Sequence, residues 1–284
     1  MFDDVVAERA FSEAVERLRV PGMGTEVVAP LLSYLIHMVR PARVLEVGMG
    51  YTTPFLARAM AEVERKIDSE STALADKTAP YLRSGREFDE EWIDAAPALL
   101  VPGFYNGRRD SRFIAIDDLS DENSSAGQVA EVLDELGLAG HVTVVNGQVR
   151  DCREALPDGF APIDFAWVDA WECLDFFENF WDLINPDGGL VVMHYLMTYP
   201  EGEAILEYIA DSQRLRAGEF EVLTLLESQK LRQNSLTVIR KTAGVTSRQY
   251  SDVGQVPRIG GTFRDEAATL VDGVVASVGR IESE

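Results

Sequence analysis

The feature that most constrains the fold of this chain is a short apolar segment that ends in two closely spaced glycines. Residues 44–52 read Val-Leu-Glu-Val-Gly-Met-Gly-Tyr-Thr and lead into a helical pattern. Gly48 and Gly50 lack the Cβ atoms that would keep a ligand away from the backbone, and they permit turn dihedrals that other residues adopt only at a cost. The pattern indicates a strand that turns into a helix over a bound ligand, although a purely structural turn has the same spacing.

The spacing of the glycines also limits the kind of ligand. A dinucleotide site carries a third glycine, and a phosphate-binding loop carries a Lys-Ser or Lys-Thr pair. Neither follows Gly50. We therefore expect a ligand that does not require a pyrophosphate cradle.

The strands predicted after this turn end in polar or aromatic clusters at one edge of a sheet. Residues 112–118 form an apolar run that ends in acids, and an acid at the C-terminal edge of a buried parallel strand can accept both hydroxyls of a ribose. Asp117 is the candidate for that contact, with a strand-end acid that binds nothing as the alternative. Strands over 141–146, 163–168 and 189–193 end in Gly147-Gln148-Val149, Asp169-Ala170-Trp171 and His194-Tyr195.

In this order, the segments from about Gly22 to Lys241 resemble the class I S-adenosylmethionine-dependent methyltransferases, most of all the catechol and caffeoyl-CoA O-methyltransferase group. The resemblance is carried by residues 21–25, 28–39 and 43–48, by an Asp-x-Trp motif at 169–171, and by a closing strand at 234–241. It implies an α/β, Rossmann-like fold with a mostly parallel seven-stranded sheet and helices on both faces. It also implies S-adenosylmethionine as the cofactor.

The resemblance implies a cofactor site at the ends of four strands. Asp117 would hold the ribose, while Gln148 and Val149 would border the adenine, with a solvent-facing loop residue as the alternative for Gln148. The other contacts are expected from the first strand, its turn and the residue after the fourth strand, namely Glu46, Gly48, Gly50, Tyr51, Thr52 (or Thr53 as the helix cap) and Asp169.

The end of the fifth strand departs from the metal-dependent members of that group. Those enzymes bind a divalent cation with the aspartate after strand four and an Asp-Asn pair after strand five, whereas this chain has His194-Tyr195. Magnesium prefers oxygen ligands in octahedral geometry, so this donor set disfavours it. Zinc could accept Asp169 and His194, but such a pair is more often hydrogen-bonded than metal-bound. We expect no metal site.

A second departure is Glu172, which stands where catechol-type enzymes commonly carry a lysine. Without that cation, we expect His194 to act as the general base, because imidazole titrates near neutral pH, with Asp169 orienting its ring. A buried strand-end histidine bonded to backbone is the alternative. Trp171 and Tyr195 are expected to form the walls of the acceptor pocket.

Methyl transfer depends mainly on alignment of the reactants and exclusion of water, and aromatic walls serve both. The predicted reaction is the transfer of a methyl group from S-adenosylmethionine to a small aromatic or hydroxylated metabolite, in the first place at oxygen. Methylation at nitrogen or carbon is one alternative. A catalytically inactive cofactor-binding module is the other.

Composition narrows the range of partners. The formal net charge of −22 would repel polyanions, so we expect neither nucleic acid nor anionic membranes as substrates. A small-molecule acceptor is favoured instead. The sequence shows no basic, apolar leader and no apolar run of membrane-spanning length, which predicts a cytoplasmic protein.

Two segments are longer than the minimal fold requires, namely an insertion within the domain and an extension after it. We predict a methyltransferase domain over 1–241 and a C-terminal extension over 242–284. The domain starts with helices in 1–40 and carries a helical insertion at about 61–111, which could be a lid, a subunit contact of a homodimer or a surface elaboration. The extension ends in a helix with an apolar stripe that packs on its own domain or on a partner helix. The stripe consists of Ala267, Val271, Val274, Val278 and Ile281.

Overall fold

A computed structural model describes residues 2–106, 110–171, 173–242 and 262–281 of the chain, without the side chains of residues 2–6 and 277–281. The chain divides into two compact units. The first comprises Met1–Ala61 and Ser111–Thr246, and the second comprises Glu62–Asp110 and Ser247–Glu284. The predicted boundary between 241 and 242 stays a prediction.

One seven-stranded sheet forms the centre of the first unit, in the order β3-β2-β1-β4-β5-β7-β6. The pairs among β1 to β5 are parallel, while β7 runs antiparallel to both β5 and β6. This confirms the predicted mostly parallel sheet. The strands are β1 (Arg43–Val47), β2 (Arg112–Asp117), β3 (Thr143–Asn146), β4 (Phe165–Val168), β5 (Leu190–His194), β6 (Phe220–Leu226) and β7 (Ser235–Lys241).

Strands in the middle of the sheet are buried on both faces, as parallel strands between helices require. Every residue of β4 and β5 is buried, and four of the five residues of β1 are. The edge strands β3 and β6 are largely exposed. The continuous apolar runs that predicted the central strands therefore reflect their burial.

Helices connect the strands on both faces of the sheet. Helix α5 (Ala126–Glu135) joins β2 to β3, and helix α6 (Cys173–Phe180) joins β4 to β5. The strands β2 and β3 lie on one side of β1 in the sheet, and β4 and β5 lie on the other side. Right-handed crossovers therefore place α5 and α6 on opposite faces, which agrees with the prediction. The unit contains α1 (Phe2–Glu16), α2 (Val28–Val39), the start of α3 (Thr53–Ser84), α5 (Ala126–Glu135), α6 (Cys173–Phe180) and α7 (Pro200–Leu215).

The second unit packs the rest of α3 with α4 (Glu90–Asp94) and α8 (Phe263–Ile281). Leu270 of α8 is 3% exposed and lies in one cluster with Leu74, Trp92 and Tyr105. The C-terminal helix thus shares a core with the insertion. Of the predicted stripe, Ala267 is buried and Val271 and Val274 pack against this cluster, whereas the side chains of Val278 and Ile281 lie outside the described residues.

Short 3-10 helices complete the two units at Pro102–Tyr105, Ala139–His141, Val149–Asp151, Arg153–Ala155 and Trp181–Leu183. Among the helices in the described ranges, none combines the length and the apolar character needed to cross a membrane.

Candidate active site

A cavity of about 480 Å³ opens in the first unit at the C-terminal ends of β1, β2 and β4. In an open α/β sheet, ligands bind where the strand order changes direction, and here that point lies between β1 and β4. The loops after β1, β2, β4 and β5 line the cavity, together with the loop before α2 and the loop between β6 and β7.

The glycine turn after β1 is held against the loop after β4. Gly48 has a φ of +88°, and a Cβ at this position would overlap the carbonyl oxygen of Asp169. The N–H of Gly50 donates to Oγ1 of Thr53 at 3.0 Å. Glycine at position 48 is therefore required both by the backbone dihedral and by the close approach of a second loop.

Asp117 at the end of β2 joins two loops beside the cavity. Its Oδ2 accepts the N–H of Met49 at 2.8 Å, and its Oδ1 accepts the N–H of Leu119 at 2.7 Å. Burial raises the pKa of this carboxyl, the two backbone hydrogen bonds lower it, and the nearby Asp118 and Asp121 raise it. Each carboxylate oxygen keeps a second lone pair for a ligand donor.

Glu46 lies beneath the glycine turn rather than among the residues that line the cavity. It is fully buried, and its Oε1 accepts from the hydroxyl of Thr52 at 2.6 Å, while Oε2 has no hydrogen-bond partner in the part of the chain that the structure describes. The indole N–H of Trp167 donates to the same hydroxyl at 3.2 Å. Burial raises the pKa of Glu46 to about 8. Thr52 and Tyr51, by contrast, line the cavity directly.

The two residues predicted to border the adenine are not among those that line the cavity. Val149 is buried in the hydrophobic core of the unit, and Gln148 is half-buried. The amide N–H of Gln148 donates to Asp118, a residue that lines the cavity, at 3.5 Å, and its amide oxygen accepts from Arg150. Their contact with adenine stays a prediction.

Asp169 and His194 form a pair at the ends of β4 and β5. Nδ1 of His194 lies 2.9 Å from Oδ1 of Asp169. Because a carboxylate only accepts, the imidazole donates from Nδ1. His194 is 1% exposed, and its Nε2 is enclosed with no hydrogen-bond partner among the described residues, whereas the Asp169 side chain is 18% exposed and lines the cavity. The carboxylate therefore stands between the imidazole and the cavity.

The same pair bears on metal binding. No group of three or more His, Cys, Asp or Glu side chains is placed to hold a metal ion within the part of the chain that the structure describes. Asp169 and His194 are hydrogen-bonded to each other, so an ion could bind both only by displacing that bond. The arrangement does not fit a magnesium site. Glu172, which replaces the expected lysine, lies outside the described residues.

Three aromatic side chains form one wall of the cavity. The ring centroids of Trp171 and Tyr199 lie 4.9 Å apart, and those of Tyr195 lie 5.6 Å from Trp171 and 5.8 Å from Tyr199. Trp171 is 65% exposed, and Tyr195 has a φ of +51°, a left-handed conformation that is uncommon for a bulky residue and recurs at functional sites. The structure thus brings Trp171 and Tyr195 together at the cavity and adds Tyr199, while their contact with an acceptor stays a prediction.

The parts of the cavity wall that were not predicted include the loop after β2 and the loop between β6 and β7. The acidic loop after β2 contributes Asp118 and Asp121, which the strand-end rule could have included. The loop between β6 and β7 contributes Arg232 and Gln233, for which the sequence carried no signal.

No family model matches the sequence, and no curated protein matches it. Solved structures do match its fold. The O-methyltransferase TomG from Streptomyces achromogenes, involved in tomaymycin synthesis and crystallised with SAM, is 20% identical, with a TM-score of 0.53 over 82% of this chain and 89% of that chain. An O-methyltransferase from Bacillus cereus, crystallised with SAH, is 14% identical, with a TM-score of 0.53 over 82% of this chain and 91% of that chain. The chain therefore has the Rossmann-like fold of the class I methyltransferases.

Proposed function

We propose that this chain is an S-adenosylmethionine-dependent methyltransferase that acts on a hydroxyl oxygen of a small aromatic acceptor. The observation that carries the proposal is the hydrogen bond from Met49 to Asp117, which joins the glycine turn to a strand-end carboxylate beside a cavity of about 480 Å³. Two proteins that share the fold were crystallised with SAM and with SAH.

The residues around the turn fit this cofactor. Asp117 has lone pairs available for the two ribose hydroxyls, and Gly48 and Gly50 let the ligand approach the backbone near Tyr51. Acidic side chains along the loop after β2 give this wall a negative charge that attracts a cationic sulfonium. When bound, S-adenosylmethionine supplies a methyl group that the sulfonium has already activated.

Glu46 is assigned a supporting role in this scheme. Its carboxyl accepts a hydrogen bond from the hydroxyl of Thr52 and so holds Thr52, which lines the cavity, in place. Adenine recognition by Gln148 and Val149 belongs to the proposal as well, because Gln148 is bonded to Asp118 in the cavity wall.

Asp169 is the group best placed to receive the proton of the acceptor hydroxyl. Its Oδ1 is held by the N–H of His194, and its side chain reaches the cavity. As the acceptor oxygen gains the methyl group, its O–H bond breaks and the proton passes to the carboxylate. The buried His194 fixes the orientation of Asp169, so it acts as a positioning residue rather than as the group that contacts the acceptor.

The aromatic wall orients the acceptor and keeps water away from it. Trp171 and Tyr199 present ring faces and edges to the cavity, and an aromatic acceptor can pack against them. Reaction then requires alignment more than covalent help. The net charge of −22 and the acidic loop after β2 favour a small acceptor over a nucleic acid.

Calorimetry and a methyl-transfer assay test the proposal together. We expect S-adenosylmethionine and S-adenosylhomocysteine to bind with one site per chain, and a panel of phenols to yield methyl ethers detectable by mass spectrometry. Binding of both nucleosides without turnover on phenols, amines or activated carbon acids would indicate a non-catalytic binding module. No binding of either nucleoside would refute the proposal.

A further inference from the structure

We propose that Arg232 forms an anion-recognition site for the acceptor, and that the acceptor is a hydroxylated aromatic carboxylate. This inference rests on the proposed function and names the acceptor class for the same cavity. Arg232 lies in the loop between β6 and β7, which no sequence motif marked.

The loop between β6 and β7 packs against the loop before α2. Nζ of Lys230 donates to the carbonyl oxygen of Gly24 at 2.8 Å. A Cβ at Gly24 would lie 2.7 Å from Cβ of Gln233, and a Cβ at Gly22 would lie 3.0 Å from Nη2 of Arg232. Both glycines also have positive φ values. The two loops therefore form a continuous wall, and the guanidinium of Arg232 lies against it at the cavity.

Arg232 differs from the other cations of this region because nothing in the described structure neutralises it. Lys230 is paired with Glu227, and Arg240 is paired with Glu221. Arg232 makes no hydrogen bond or ion pair within the described residues, although the cavity that it lines is otherwise acidic. A guanidinium with all its N–H groups available is the donor that matches a planar carboxylate in a two-point contact.

Gln233 anchors the loop beside Arg232. The residue is 8% exposed, and a Cβ at Gly24 would lie 2.7 Å from its Cβ, so its side chain is packed against the loop before α2. The neighbouring Arg232 is therefore carried by a stretch of backbone that packing holds in place.

The position of Arg232 assigns it to the acceptor rather than to the cofactor. The adjoining residue Asn234 accepts through Oδ1 from the hydroxyl of Thr198 at 3.2 Å, and the carbonyl oxygen of Ser235 accepts the N–H of Tyr195 at 2.8 Å. These bonds join the stretch from Arg232 to the loop that carries two rings of the aromatic wall. Asp117, which is assigned to the ribose, belongs instead to the end of β2.

The cavity thus combines three recognition features for one ligand. A ring packs against Trp171 and Tyr199, a hydroxyl faces Asp169, and a carboxylate pairs with Arg232. A hydroxybenzoate carries all three groups on one rigid frame. Catechol carries the ring and the hydroxyls but no carboxylate, so it is the matched probe.

Calorimetry on the protein saturated with S-adenosylhomocysteine tests the inference without requiring turnover. We expect 3,4-dihydroxybenzoate to bind about 10- to 100-fold more tightly than catechol. Arg232→Gln should remove most of this difference while leaving the affinities for catechol and for S-adenosylhomocysteine unchanged. Arg232→Lys should retain part of it, because an ammonium keeps the charge but loses the two-point geometry. Arg240→Gln, which removes one positive charge near the opposite end of β5, should behave like wild type.

The outcomes separate the two proposals. If the protein does not bind S-adenosylhomocysteine, the proposed function fails. If it does bind, but binds neither probe, binds both alike, or keeps the preference in Arg232→Gln, the carboxylate assignment is wrong. Weaker binding of S-adenosylhomocysteine to Arg232→Gln, with acceptor affinities unchanged, would reassign the guanidinium to the cofactor and would also overturn the inference.

Discussion

The main-chain N–H of Met49 donates a 2.8 Å hydrogen bond to Oδ2 of Asp117, and this bond links the turn after β1 to the end of β2. The other oxygen of the same carboxylate accepts the N–H of Leu119. One side chain thus fixes two loops at the cavity and still has lone pairs for a ligand.

Replacement of Asp117 by asparagine is therefore expected to weaken S-adenosylmethionine binding by about 10- to 100-fold. The amide has one acceptor oxygen where the carboxylate has two, so it cannot keep both backbone contacts and also serve the ribose. Calorimetry measures the affinity. Asp187→Asn removes the same charge from the exposed turn before β5 and should leave the affinity unchanged. An Asp117→Asn protein that binds as tightly as wild type would contradict the ribose assignment.

Gly48→Ala is expected to lower the free energy of unfolding by roughly 2 to 4 kcal/mol. The residue has a φ of +88°, and the added Cβ would overlap the carbonyl oxygen of Asp169. Urea denaturation measures the change. Gly127→Ala is the matched control, because a Cβ there meets nothing within 4 Å and the residue lies in α5. That variant should be as stable as wild type or slightly more stable, since alanine favours a helix. Equal stability of the two variants would show that the turn tolerates a side chain.

The central part of the fold, and the placement of Gly48, Asp117 and Asp169 at one edge of the sheet, could be predicted from the sequence. Parallel strands that are buried on both faces read as apolar runs, and their C-terminal ends share one sheet edge. Gly48, Asp117 and Asp169 follow from those two rules without any knowledge of packing. The predicted ends of the strands differ from the observed ones by one or two residues.

The remaining features of the fold and of the candidate site depend on contacts between distant parts of the sequence, which sequence patterns do not encode. Strand β6 lies at a sheet edge with most of its residues exposed, and no motif marks the loop that follows it, so Arg232 and Gln233 could not be placed. His194 packs against Trp167, with ring centroids 5.7 Å apart, and this contact could not be inferred from the sequence. The core shared by Leu74 and Leu270 joins segments nearly two hundred residues apart.

Leu270→Ala tests that shared core of the second unit. The side chain is 3% exposed among Leu74, Trp92 and Tyr105, so its truncation should cost about 2 to 5 kcal/mol of the unit's stability. Val275→Ala on the same helix is the control, because Val275 is 67% exposed and should change stability by less than about 0.5 kcal/mol. Hydrogen exchange of the amides in 62–106 reports the result. Unchanged protection in Leu270→Ala would contradict the packing of α8 on the insertion.

The stability of the protein should fall as the pH rises through the range in which Glu46 titrates. The pKa of this carboxyl is raised from 4.5 to about 8, chiefly by burial; the hydroxyls of Thr52 and Thr53 oppose this rise, and the charges of Asp169 and Asp117 contribute to it. Above pH 4.5 the unfolded chain has released the proton that the folded protein retains. Folding therefore becomes less favourable by about 1.4 kcal/mol per pH unit between 4.5 and 8, and the loss levels off above that range.

Glu46→Gln isolates this contribution, because the amide stays uncharged and still accepts from Thr52. We expect the stability of the variant relative to wild type to increase by on the order of 4 kcal/mol from pH 5 to pH 8, measured by urea denaturation at each pH. Glu154→Gln, at an exposed position, should show no such trend. Parallel pH profiles of wild type and Glu46→Gln would mean that the carboxyl ionises normally in the folded protein.

Substitutions of Asp169 and of His194 are expected to lower turnover to different extents, because the two residues lie at different distances from the cavity. The carboxylate lines the cavity and the imidazole lies behind it, joined by the 2.9 Å contact between Oδ1 and Nδ1. Asp169→Asn should lower kcat by about 10²- to 10⁴-fold, since the amide cannot take up a proton. His194→Asn places an N–H close to the position of Nδ1 and should retain more turnover than His194→Ala, which leaves the carboxylate without its donor. Rates are normalised to the fraction of protein that binds S-adenosylhomocysteine, so that misfolding does not mimic a catalytic loss. If His194→Asn and His194→Ala were equally inactive while Asp169→Asn kept its turnover, the imidazole would itself be the base, and it would have to reach the cavity by a rearrangement that exposes Nε2.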